Sequence, residues 1–324
     1  MSALRLTAHR GGGLLGRPSG VPPDLTTTVG SVTLPNPVMT ASGTAGHGTE
    51  LAAYQDLSRL GAVVVKSLAG GPWAGNPPPR VREAPAGMVN SIGLQGPGVP
   101  AWLADDLPAL QALGARVVAS IWGRSVEQYA EAAALLADAP EDVIAVEVNL
   151  SCPNLDGGSH LFAHDARLAA EAIAATVACN RPRWAKLSPN PPDLVDIAEA
   201  VAGAGAEAVT LVNTVQATLP DDERAAPRFG GGGGGLSGPA IHPVAIRAVH
   251  AVRAAHPDLP IVGVGGVTDA ATALDLLAAG ADAIQVGTAT FAHPGAPSRV
   301  LHQLETWCRR TRTPHLRELI GTMH

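Results

Sequence analysis

"PIVGVGGVTDAATALDLLAAGADAIQVGTA", residues 260–289, contains one complete strand–turn–helix–strand unit. The apolar runs at 260–266 and 283–289 are short and bounded by Pro or Gly. Between them "DAATALDLLAAG" repeats its apolar residues at helical spacing, behind an Asp able to cap. The same alternation recurs along the chain. Strand-like runs stand at 36–42 (NPVMTAS), 62–67 (AVVVKS), 116–121 (RVVASI), 143–151 (VIAVEVNLS), 183–188 (RWAKLS) and 208–214 (AVTLVNT), which brings the count to eight. Helical patterns separate them, as in "SVEQYAEAAALLADA", "DARLAAEAIAATVACN", "DLVDIAEAVAGAG" and "HPVAIRAVHAVRAAH". Eight strands with helical crossovers in one chain predict an α/β protein, a (β/α)8 TIM barrel with extended active-site loops, over an open doubly wound sheet.

The domain plan is a flexible leader over 1–24 followed by one barrel domain over 25–324. The leader mixes Arg, Gly and Pro and lacks the apolar run, about 7–15 residues long, that a signal peptide needs. No apolar stretch reaches the roughly 18–20 residues of a membrane span, since "AEAAALLADA" is interrupted by Glu131 and Asp138. The expectation is a cytoplasmic protein with no membrane partner. Net charge is −6 with 15% charged residues, and no basic block could follow a phosphate backbone, so nucleic acid is excluded as a partner. The three cysteines, Cys152, Cys179 and Cys308, have no metal-ligand spacing, and neither a metal site nor a disulfide framework is expected.

Two stretches break the repeat. Residues 68–100 and 215–239 are long, rich in Pro and Gly, and each follows a strand, which puts them at the barrel face where active sites lie. They read as functional lids or disordered segments, and the six glycines Gly230–Gly235 read equally as a linker.

Strand ends carry the chemistry, because each points into a shared pocket. They supply Ser42, Lys66 with Ser67, Ser120, Asn149 with Cys152, Lys186, Asn213 with Thr214, Gly265 with Gly266, and Gly287 with Thr288. Two ammonium groups in one pocket are expensive to desolvate unpaired, so an anionic ligand is expected to offset Lys66 and Lys186. The glycine turns after the seventh and eighth strands suit a phosphate held on backbone N–H groups. Asn side chains both donate and accept, which fits a planar ligand rich in N–H and C=O. At this level Cys152 reads as a nucleophile or a base.

The motifs "NLSCPN", "VVVKS", "GNPPPR", "GMVNSIGLQGPG", "LVNT", "GGLSGPAIHP", "VGVGGV" and "VGTA", spread over about residues 25–320, resemble the class 1 dihydroorotate dehydrogenases, most closely class 1B. The resemblance implies an FMN-containing barrel that oxidises dihydroorotate to orotate in de novo pyrimidine biosynthesis. Cys152 matches the base that takes the C5 proton while C6 passes a hydride to FMN N5. Lys66 matches a residue between flavin and substrate, and it is counted with Cys152 as catalytic. Asn90, Ser91, Ile92, Gly93, Leu94, Asn149, Asn154, Asn213 and Thr214 match substrate-binding positions. Ser42, Lys66, Ser67, Ser120, Asn149, Val212 and Gly238 match flavin contacts, and Lys186 matches a cation near flavin N1 and O2. Gly265, Gly266, Gly287 and Thr288 match the phosphate cradle.

Class 1B also implies a separate subunit bearing FAD and a 2Fe-2S cluster, in a heterotetramer, whereas class 1A enzymes are homodimers that use fumarate. Three features depart from the family pattern. Ser120 and Gly96 stand where asparagines are usual, and the loop over 215–235 is altered. These departures keep open a related FMN oxidoreductase acting on another dihydropyrimidine or cyclic amide. A non-flavin, phosphate-binding barrel lyase using Lys66 or Lys186 as a Schiff-base amine is the other alternative.

Overall fold

A computed structural model describes residues 22–151, 162–220, 229 and 233–324. All eight expected strands are present, as β1 (Val38–Thr40), β2 (Val63–Val64), β3 (Val117–Ile121), β4 (Val143–Asn149), β5 (Arg183–Leu187), β6 (Ala208–Leu211), β7 (Ile261–Val264) and β8 (Ala283–Val286). They pair in parallel in the order β1-β8-β7-β6-β5-β4-β3-β2. A parallel bridge between Met39 and Ala62 closes β1 onto β2, giving the (β/α)8 barrel.

That seam is thin. Gly61 N donates to Val38 O at 2.8 Å and Thr40 N to Ala62 O at 3.3 Å. The buried Thr40 side chain extends the seam, because its Oγ1 donates to Val64 O at 3.1 Å and accepts from Val64 N at 2.8 Å. Thr40→Val keeps the shape but leaves a buried N–H without an acceptor. It is expected to cost about 1–3 kcal/mol in denaturant unfolding.

Helices Val126–Ala134, Ala166–Ala175, Leu194–Gly203, His242–Ala255 and Ala270–Ala278 follow β3 to β7 in turn, where the periodicity predicts them. Ser125 and Asp165 accept from the third residue of their helices, and Asp269 forms a reciprocal capping box with Thr272. The β1–β2 crossover differs. Its helical content among the described residues is the 3-10 turn Leu57–Arg59. Glycines at 43, 46 and 48 break up the segment ahead of it.

The alternation of strand side chains builds the interior in layers. Outward residues such as Val38, Val63, Val117, Val148 and Val209 pack under the helices. Inward residues Met39, Val64, Val118, Ala145, Trp184, Ala208, Val262 and Ala283 fill the barrel's lower half. Val29 and Leu34, from the antiparallel hairpin of Thr27–Val29 with Val32–Leu34, join this cluster and plug that end. Two residues further along five of the strands the inward position turns polar, with Ser120, Glu147, Lys186, Thr210 and Gln285 all buried.

The two long loops, expected as lids or disordered segments, cooperate instead. Val81–Ala84, Gly87–Asn90, Gly234–Ser237 and Val215–Ala217 form one four-stranded antiparallel sheet. Within the glycine run, Gly234 and Gly235 are therefore strand residues, which corrects the linker reading there. The reason is space. A Cβ on Gly234 would lie 2.3 Å from Asn90 O, and one on Gly235 would lie 2.0 Å from Thr214 Oγ1, so only glycine lets this strand press against both substrate-side candidates. Gly233 leads into the strand, and residues 230–232 lie outside the described residues.

Candidate active site

Above the polar layer a cavity opens at the C-terminal ends of the strands, walled on one side by the four-stranded sheet. It gathers most of the residues singled out from the sequence. Ser42, Lys66, Ser67, Asn149, Lys186, Val212, Asn213 and Thr214 line it from strand ends, Asn90, Ile92, Gly93 and Leu94 from the first long loop, and Gly238, Gly265, Gly266, Gly287 and Thr288 from the glycine turns. Ser91 and Ser120 do not line it. Ser91 accepts from Asn76 Nδ2 through its O at 3.2 Å and its Oγ at 3.0 Å, which anchors the loop from behind. Ser120 is fully buried, with Oγ 2.8 Å from Ser67 Oγ. Cys152 and Asn154 lie outside the described residues. They follow Ser151, which lines the cavity and whose buried Oγ has no hydrogen-bond partner among the described atoms.

A chain of hydrogen bonds crosses the cavity wall from β4 to β6. Asn149 Nδ2 donates to Ser67 Oγ at 3.3 Å, Asn213 Nδ2 donates to Asn149 Oδ1 at 3.0 Å, and Thr214 N donates to Asn213 Oδ1 at 2.8 Å. Tyr129 Oη donates to Asn149 O at 2.7 Å and fixes the strand end. Each amide is held from within the protein, so its orientation is set before a ligand arrives.

The loop carrying Ile92–Leu94 is shaped by its own backbone and by Trp73. Gly93 (φ 71°) and Leu94 (φ 61°) both occupy the left-handed region. Trp73 Nε1 donates to Gly93 O at 3.0 Å, and Trp73 and Gly96 exchange backbone hydrogen bonds at 2.9 and 3.0 Å. The indole is braced edge-on by Trp122 at 5.7 Å between centroids, and the Arg124 guanidinium lies 5.0 Å over its ring. Gly96, where an asparagine is usual in the resembling family, faces His47. A Cβ there would sit 3.1 Å from His47 Nε2. Burial, and then the Lys66 ammonium, lower the His47 pKa, so the imidazole is neutral at pH 7.

At the far end, Gly265 (φ 140°) and Gly266 (φ 70°) turn the chain away from β7. A Cβ on Gly266 would meet His242 Cβ at 2.6 Å, and one on Gly265 would meet Ala245 Cβ at 2.7 Å. His242 Nδ1, 2.8 Å from Gly265 O, packs behind this turn. Thr288 Oγ1 donates to Ser237 Oγ at 2.8 Å and ties the turn after β8 to the sheet. Gly265, Gly266 and Gly287 thus line this end of the cavity with backbone, beside the polar strand ends, an arrangement that suits a flat ligand with a phosphate tail.

Lys186 corrects the expectation that both lysines need a ligand anion. Its Nζ donates to Glu147 Oε1 (3.2 Å), Gln285 Oε1 (3.2 Å) and Ser42 Oγ (3.3 Å). Glu147 is fully buried, and its Oε2 also accepts from Gln285 Nε2 at 2.6 Å and Thr210 Oγ1 at 3.2 Å. The cation is thus balanced internally, and all three of its N–H bonds are spent on protein, which is poor preparation for a Schiff-base amine. Glu147, Thr210 and Gln285 are not apparent when strand ends alone are read. The available signal was parity: each stands two residues before a cavity residue (Asn149, Val212 or Gly287) and so shares its inward face.

Among the described residues no helix is long and apolar enough to cross a membrane, and no group of three or more His, Cys, Asp or Glu could hold a metal ion.

Comparison with known proteins agrees with this geometry. The family described as dihydroorotate dehydrogenase matches residues 24–307. A protein of Desulforudis audaxviator is 46% identical over 297 residues, covering 91% of this chain and 96% of the relative. One from Trichlorobacter lovleyi is 43% identical over 302 residues, covering 93% and 99%. One from Geobacter sulfurreducens is 41% identical over 302 residues, covering 93% and 98%. All three are named "Dihydroorotate dehydrogenase B (NAD(+)), catalytic subunit". With the barrel, the amide-lined cavity and the glycine turns in place, these matches establish that the chain belongs to the dihydroorotate dehydrogenase family, on its class 1B side.

Proposed function

We propose that this chain is the catalytic subunit of a class 1B enzyme that oxidises dihydroorotate to orotate in de novo pyrimidine biosynthesis, with FMN as its cofactor. The observation that carries the reading is the convergence of Lys66, Asn149, Asn213 and Lys186 in one cavity that Gly265, Gly266 and Gly287 also line. The glycine lining and donor set fit FMN: Gly265, Gly266, Gly287 and Thr288 would hold its phosphate, and Ser42, Ser67, Val212, Gly238 and Lys186 would contact its ring system. When bound, FMN supplies a hydride acceptor for the substrate's C6.

The chain's own residues do the remainder. Cys152 removes the proton from C5, so the thiol must first be made thiolate. Asn90, Asn149, Asn154 and Asn213 orient the planar ring through paired donors and acceptors, with Ile92, Gly93, Leu94 and Thr214 closing around it. Lys66 adds a cation between the two ligands. Residues 25–324 act as one FMN-binding domain in this reading. The relatives' names, with their catalytic subunit and NAD(+), support a separate partner subunit; that it bears FAD and a 2Fe-2S cluster, in a cytoplasmic heterotetramer, belongs to the class 1B resemblance.

The test is spectroscopic. Protein purified anaerobically should carry yellow FMN that bleaches on adding dihydroorotate. Flavin that stays oxidised overturns the substrate assignment. The missing side chain at Gly96, where a Cβ would sit 3.1 Å from His47 Nε2, favours one second reading, a related flavoprotein for another dihydropyrimidine, which bleaching by dihydrouracil and not by dihydroorotate would establish.

The Trp73 latch offers a finer check. Trp73→Phe removes the N–H that holds Gly93 and keeps a ring against Trp122. Losing about 1 kcal/mol of loop positioning should raise KM for dihydroorotate roughly fivefold with kcat little changed, in steady-state kinetics.

A further inference from the structure

Glu147 has no role in the proton and hydride steps, yet among the described residues it is a fully buried carboxylate beneath the cavity, saturated with donors from Lys186, Thr210 and Gln285. A buried carboxylate–ammonium pair seldom stabilises a fold more than apolar side chains of the same volume would. The layer just below consists of such side chains, Val118, Ala145, Trp184 and Val262 among them. The pair therefore calls for a reason beyond packing. Its geometry supplies one. Of the three groups that Lys186 Nζ reaches, Glu147 and Gln285 lie inside the barrel and only Ser42 lines the cavity. The lysine that lines the cavity is thus anchored from below by a buried carboxylate, in a place where water screens little.

We propose that Glu147 is a positioning residue that fixes Lys186 and sets the net charge it presents to the cavity, so that bound FMN has a lower reduction potential than Lys186 alone would impose. This rests on the FMN reading above. A cation near the flavin ring stabilises the negative charge gained on reduction and raises the potential, and a carboxylate directly behind that cation subtracts from the effect. Gln285 bridges the two, donating through Nε2 to Glu147 and accepting through Oε1 from Lys186. It holds the pair in register without adding charge.

The experiment compares the midpoint potential of the flavin in the full-length holoprotein with that of two near-isosteric variants. Glu147→Gln removes the balancing charge and should shift the potential upward. The expected change is at least tenfold in the oxidised-to-reduced ratio at fixed poise, about 30 mV for a two-electron couple. Gln285→Glu brings a second carboxyl within hydrogen-bonding distance of Glu147, where like charges make the pair share one proton, so the net charge and the potential should stay near the parent's. A rise in Glu147→Gln with Gln285→Glu close to the parent supports the proposal, because a purely structural role would disturb both variants alike. A downward shift or none in Glu147→Gln, or an equal shift in both variants, overturns it. If Glu147→Gln does not retain FMN, the network is only a fold element and the proposal fails. Parent protein that carries no reducible flavin would instead reject the FMN reading itself, and this proposal with it.

Discussion

Cys152→Ala is expected to purify with FMN and bind dihydroorotate while losing roughly 10²–10⁴-fold of its flavin reduction rate near neutral pH, the usual range for removing a positioned base. No other thiol can take over. Cys179 is buried between strand and helix layers, and burial raises its pKa. Burial also pushes the Cys308 thiol up to about 11. Both therefore remain protonated at neutral pH, and neither lines the cavity. Cys152→Ser should recover part of the rate as the pH rises, since a hydroxyl gives up its proton less readily than a thiol. Anaerobic stopped-flow reduction followed at the flavin band reads both variants. Parent-like rates in both would remove Cys152 from the mechanism.

Lys186→Met should produce the largest loss of stability of any single change at the site, about 3–5 kcal/mol. Glu147 would keep Thr210 and Gln285 as donors but lose its counter-charge in a position closed to water. Breaking a buried pair from one side costs far more than replacing it whole. The double variant Lys186→Met with Glu147→Gln should consequently lose less than the sum of its parts, a coupling that urea unfolding of all four proteins measures. Strict additivity would mean that the 3.2 Å contact between Lys186 and Glu147 carries no energy.

Much of this architecture is legible in the chain. Strands such as 143–149 and 261–264 are short, apolar and bounded by Gly or Pro, and three of the helices among them open on the capping residues Ser125, Asp165 and Asp269. These are local signals, set by backbone sterics and by the period at which side chains meet one face. The strand-end residues are equally local, because a barrel sends every strand's C-terminus to one pocket. The strand ends therefore carry Ser42, Lys66, Asn149, Lys186 and Asn213 to the same place.

The remainder depends on groups far apart in the chain. The loops over 68–100 and 215–239 read as irregular because glycine and proline weaken local strand propensity, yet Gly234–Ser237 pairs with Gly87–Asn90. Long-range hydrogen bonds and the absence of a Cβ decide that pairing. His47 is similarly unremarkable in sequence and gains meaning only beside Gly96.

Glu147 marks the boundary most clearly. Its place in "VIAVEVN" shows that it faces inward, because alternation along a strand is a property of the backbone. Its partners lie 39, 63 and 138 residues away at Lys186, Thr210 and Gln285. Only barrel closure brings these side chains within hydrogen-bonding distance. Periodicity and strand-end chemistry thus establish the barrel and its roster of cavity residues, while the folded chain decides which of those charges is balanced, because electrostatic pairing depends on distance in space and not along the sequence.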